Sequence, residues 1–171
     1  MNPIVQLEDF VDELEIAHVD TDKVANQLNR MIGKYQAEVL GKLLGSELLA
    51  LYEAGVAISP PAAQWGNLTE KVKPVIAGVV YYWYVRNNHT TTSSLGEVKG
   101  KSQNSISANP EYKMVKNWNE AVDAAFKCAD YISNNSDMYG NYYFSLYDYR
   151  LGGWSRRCLP DIFQRINTLN I

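Results

Sequence analysis

Few residues in this chain combine the types and spacing that a reaction or a ligand demands. Glu15, His18 and Asp22 recur at helical steps, and a His flanked by two carboxylates is a set able to hold a divalent metal. On a polar helix the same three residues make an ordinary solvated face, and that reading is preferred. Cys158 follows Arg156-Arg157, whose charge lowers a thiol pKa, yet no His and acid are placed together beside it to build a nucleophile site. Cys128 falls on the apolar side of a long helical pattern and reads as a small core residue. His89 stands alone in a polar stretch and reads as a turn residue, while Glu97 and Asp148 are acids without a positioned partner. No HExxH, GxSxG, Gly-rich phosphate loop or CxxC pair occurs. No catalytic residue, cofactor or metal is expected, and the chain is not read as an enzyme.

The aromatic residues are the other resource. Tyr139, Tyr142, Tyr143, Phe144, Tyr147, Tyr149 and Trp154 crowd the last part of the sequence beside Arg150, Arg156 and Arg157. Exposed rings of this kind stack on sugars in carbohydrate-binding modules. Tyr, Trp and Arg are equally the residues enriched at protein interfaces, and for a helical chain the interface reading is preferred. About half of these rings suit plain core filling just as well.

The elements that must position these groups follow from length and patterning. At 171 residues the chain is expected to form one domain, or one domain with an arm. With 46% hydrophobic and 20% charged residues it is neither a disordered chain nor a membrane protein, and no apolar run nears the roughly 20 residues that cross a bilayer. The start lacks the basic and apolar regions of a secretory leader. Two cysteines 30 positions apart make no disulfide framework, so a reducing compartment is expected. The net charge of −3 argues against binding nucleic acid in bulk. Residues 1–22 carry seven acids and no Lys or Arg, either a solvated face or half of a charge-complementary subunit contact.

Apolar periodicity predicts helices near 22–44, 46–54, 68–87 and 110–134. Gly45 is the expected stop between the first two, and Asn67 with Glu70 the expected cap of the third. Pro74 sits awkwardly inside that third helix, whose run from Val75 to Val85 is apolar nearly all round and reads as central. Trp118 lies mid-stripe in the fourth. Val5–Val19 has a weaker helical pattern, and a last short helix is predicted over Asp161–Leu169. The fold class is all-α: a helical bundle over 1–138, interrupted at about 89–108 by a long polar loop or short β-hairpin, with an extended aromatic-rich C-terminal arm at 139–171. The loop has few side chains to bury and is expected to order only on a partner.

The order of these pieces resembles a family. A helix ends in Leu43-Leu44-Gly45, a Leu/Tyr helix follows, and a third ends in Val79-Val80-Tyr81-Tyr82-Trp83-Tyr84. A Thr/Ser-rich loop with Gly96-Glu97-Val98 and Lys99, then Ser105–Ala108, leads into a long helix with Ala121, Ala124, Ala125 and Tyr131. Over about residues 22–135 this looks like the head–tail connector (adaptor) proteins of tailed phages and prophages, whose helical bundle carries a Thr-x-x-Gly-hydrophobic-x-Lys loop. The resemblance rests on order and composition, not on an invariant motif. It implies a structural virion protein, assembled in the host cytoplasm, that forms a ring homo-oligomer (a dodecamer if family-like) on the portal protein. The ring would contact other tail or connector proteins, with DNA only passing through and no membrane. Loop residues Thr91, Gly96, Val98, Lys99 and Lys101 and tail residues Tyr147, Tyr149, Arg150, Trp154, Arg156 and Arg157 are the candidate interface. The alternative is a small helical ligand- or carbohydrate-binding module using the aromatic tail.

Overall fold

In the computed structural model, which describes residues 2–89, 91–93, 96–98, 111–139 and 163–166, helices account for most of the chain. Helix α1 runs from Asp22 to Val56, α2 from Ala63 to His89, α3 from Glu111 to Asn134, and the single turn α4 from Ser136 to Tyr139. Between α2 and α3, strand β1 (Thr91–Ser93) pairs antiparallel with β2 (Gly96–Val98), Thr91 opposite Val98 and Ser93 opposite Gly96. The rest of the polar loop lies outside the described residues. No helix is long and apolar enough to cross a membrane among the described residues.

Gly45 interrupts α1 with φ 68 and ψ 173, a conformation open to glycine at little steric cost. Leu43, Leu44 and Leu48 are fully buried on both sides of it, so the apolar stripe continues through the break. Helix α2 is the central element, packing extensively on α3 and also on α1. Every residue from Val75 to Tyr82 is buried, which explains an apolar run with no polar face. Pro74 is exposed at its edge. The hydrogen bond its missing N–H would have made to the carbonyl of Glu70 is lost on the side facing water, where that carbonyl can be solvated.

Three expected elements differ from the observed ones. Helix α2 begins at Ala63, not near 68, and Asn67 is an interior residue. Trp65 is the reason: its ring packs between Tyr52 and Tyr139, at centroid distances of 6.2 and 5.9 Å, and draws the first turn onto the bundle. Its N–H bonds the carbonyl of Ala62 at 2.9 Å.

The region Val5–Val19 is not a helix but a strap with two 3₁₀ turns, Leu7–Asp9 and Asp12–Leu14. Val5, Phe10 and Ile16 are its buried residues, at spacings of five and six that a helix would scatter around its surface. Asp12 and His18 take φ of 53 and 58, which a helix excludes.

Of the expected C-terminal arm, only Tyr139 and residues 163–166 lie among the described residues. Tyr139 and Phe163 are buried in the same core as the bundle. Residues 164–166 are not helical, so the helix predicted over Asp161–Leu169 is absent there. Their backbone groups are committed to side chains of α3: Trp118 Nε1 donates to Gln164 O at 2.7 Å, and Asn119 both donates to Ile166 O at 3.0 Å and accepts from Ile166 N at 3.1 Å.

Candidate interface

Of the candidate interface residues, Thr91, Gly96 and Val98 lie in the paired strands, Thr91 and Val98 directly opposite each other. Lys99, Lys101, Tyr147, Tyr149, Arg150, Trp154, Arg156 and Arg157 lie outside the described residues, as do Cys158 and Asp148. What the structure does assemble is a set of polar fasteners around one turn of α3 and an aromatic cluster at the end of the bundle.

The fasteners explain much of the acidic start. Asp9 pairs with Lys73 at 2.9 Å and Glu13 with Lys116 at 3.0 Å, so two of the seven acids are used within their own chain. The contact with Asp9 is the main reason the Lys73 ammonium titrates above its usual range. Both pairs are partly exposed, so they guide the path of the chain start more than they stabilise the fold. Asn117, almost fully buried, donates through Nδ2 to the carbonyl of Glu13 at 3.0 Å. Gln36, also buried, accepts from Ile4 N at 2.7 Å and donates to Asn2 O at 3.2 Å. Consecutive α3 residues Asn117, Trp118 and Asn119 thus hold both the strap and the 163–166 segment. Arg165 adds an ion pair to Asp123.

The aromatic cluster comprises Tyr52, Trp65, Tyr131 and Tyr139. Tyr139 donates to the carbonyl of Gln64 at 2.8 Å, and Lys71 lies 5.5 Å over the Tyr131 ring. Burial, with its contacts to Tyr131, raises the Tyr139 phenol pKa. Gly55 is obligatory here, since a Cβ would sit 2.1 Å from the Trp65 ring. At the other end Tyr35 stacks on Trp83 at 5.8 Å, and Tyr82 meets Trp118 at 4.7 Å.

No family model, curated protein or solved structure matches this chain.

The chemically suggestive residues are separated by the fold. His18 is exposed on a turn, and no three His, Cys, Asp or Glu side chains converge among the described residues. Cys128 is fully buried, and burial pushes its thiol up from 9.0 to about 12, against a small opposing effect of Lys71. Two consequences follow from linkage. Its folded state holds a proton that the unfolded thiol releases above 9.0, so this group's stabilisation is present below that pH and declines as pH rises toward about 12. Iodoacetamide at pH 8 is expected to leave Cys128 unmodified in the folded protein and to modify it in denaturant. Peptide mass mapping checks this, and rapid native labelling at Cys128 would show the site to be open.

Sequence reasoning missed the strap and its anchors. A signal was present: Gln36 and Asn117 interrupt otherwise apolar stripes, and a polar residue at a core position needs a partner.

Proposed function

We propose that the chain is a structural virion protein, a head–tail connector subunit that forms a ring on the portal vertex, joins capsid to tail and extends the DNA channel. The order of elements supports this reading: a helix broken at Gly45, a central apolar helix, an antiparallel strand pair and a long amphipathic helix. Its partners on this reading are further copies of itself, the portal protein and other tail or connector proteins, with DNA as channel contents. Its place is the virion, after assembly in host cytoplasm. The interface residues are those of the strand-bearing loop and of the aromatic, Arg-containing tail. Of the aromatic tail that the alternative, a ligand- or carbohydrate-binding module, would use, the described rings Tyr139 and Phe163 are buried.

Sedimentation of the purified chain over a concentration series, with and without a portal preparation, tests the proposal. A discrete large species that images as a ring is the expected result, formed alone or on the portal. A monomer at every concentration, with no portal complex, overturns it.

A further inference from the structure

A cavity of about 610 Å³ opens where the start of the chain crosses the corner between α1 and α2. That volume falls within the roughly 300–1,000 Å³ of ligand sites. One wall is the Asn2–Ile4 segment, fixed in place by its two hydrogen bonds with Gln36, one accepted and one donated by that side chain. Ile4, Val56 and Pro61 give it apolar surface, and Glu53 and Glu70 both line it. Among the described residues, no Lys or Arg lines it. Neither carboxylate forms an ion pair among the described residues; Lys73, three positions beyond Glu70, feels that carboxylate's charge but makes its ion pair with Asp9.

The hydroxyl pair in the cavity is oriented. Thr69 donates to the carbonyl of Trp65 at 2.8 Å, so across the 2.7 Å contact Tyr52 is the donor to Thr69. The Tyr52 oxygen keeps its acceptor lone pairs. Apart from the Asn2 amide, the side chains lining this cavity therefore offer acceptors and negative charge beside apolar surface. That combination selects a cation carried on an aliphatic stem.

We propose that this cavity binds a Lys or Arg side chain of a partner polypeptide, with its charged head at Glu53 and Glu70 and its stem against Ile4, Val56 and Pro61. A polypeptide fits better than a free cation because of what adjoins the site. Residues 54–69 carry no charged side chain, and Ala57, Ile58, Pro60 and Ala62 among them are exposed. They form an apolar shelf for the residues flanking the cation. The proposal is independent of ring formation.

The test uses the full chain and amide-shift titration with the tripeptide acetyl-Leu-Arg-Ala-amide. The comparison probes are the same peptide with citrulline, which is neutral and nearly isosteric, and butylguanidinium. Saturable shifts confined to the amides around 53–57 and 66–70 are expected. The citrulline peptide should bind about tenfold more weakly, since a charge-assisted bond is lost. Glu53→Gln with Glu70→Gln, both exposed in the parent, should leave the melting transition in place and abolish the preference for arginine over citrulline. No saturable response, equal binding of the citrulline peptide, or a preference that survives the double substitution would overturn the site. Butylguanidinium binding as tightly as the peptide would overturn its assignment to a polypeptide. If the double variant fails to melt cooperatively, the arginine–citrulline comparison on the parent still decides.

Discussion

Replacing Trp118 by Ala is expected to remove about 3–5 kcal/mol of stability, the usual loss when a large buried aromatic is truncated. Trp118 is only 8% exposed, packs against Tyr82 at 4.7 Å, and carries the indole N–H that holds Gln164 O at 2.7 Å. The substitution therefore opens a cavity between α2 and α3 and leaves a carbonyl of the 163–166 segment without its donor. For a chain of this size each kcal/mol moves the melting temperature by roughly 2–4 °C, so a fall of about 10 °C is anticipated. Trp118→Phe separates the two contributions. It keeps most of the ring and removes the hydrogen bond, for a loss of about 1–3 kcal/mol. Calorimetry on both variants checks this. A shift of a degree or so in Trp118→Ala would show that neither packing nor bond matters.

The second large effect is expected at Gly78, where α2 passes close to Ala121 of α3. A Cβ there would lie 2.6 Å from Ala121 Cβ and 3.3 Å from the carbonyl oxygen of Asn117. A glycine inside a helix costs about 1 kcal/mol relative to Ala, so Gly78→Ala sets a propensity gain against a clash of about 1–3 kcal/mol. Gly78→Leu has no such offset in space and is expected to lose about 3 kcal/mol by prying the two helices apart. The sign of the pairing is testable. In Gly78→Ala with Ala121→Gly the clashing methyl is gone, and the double variant should be more stable than additivity predicts. Strict additivity of the two single changes in denaturant titrations would mean that the helices do not meet there.

The helical bundle was legible in the sequence because its stripes are long and strongly periodic. Val75 to Tyr82 announces a central helix by having no polar face, and Gly45 announces a break through its freedom at positive φ. The boundaries that went astray were decided by tertiary contacts. Local capping signals favour Asn67 and Glu70 as a helix start, yet packing of Trp65 against Gly55 and Tyr139 sets it five residues earlier, at Ala63. The strap was misread because Val5, Phe10 and Ile16 carry no regular period; they are buried by a path that the fold imposes. Of the interface, the sequence names residues but not what they touch, since a docking surface has no periodicity to betray it. The cavity beside Glu53 and Glu70 was equally invisible: its residues come from 2–4, 52–61 and 66–70, and only the corner between two helices brings them together.

Asn117, Trp118 and Asn119 deserve a last consequence, because they fasten two segments from opposite ends of the described chain to one helical turn. The bonds span sequence separations of 104, 46 and 47 residues. Such contacts form only after distant parts of the chain have met. They also make the first and last described segments a single cooperative unit with the middle of α3. Neither segment can fray alone without orphaning a group that α3 presents to it, and opening that one turn removes a hydrogen bond from each at once. In native-state hydrogen exchange, the amide of Ile166 and those of the α3 residues around Trp118 should therefore open in one step.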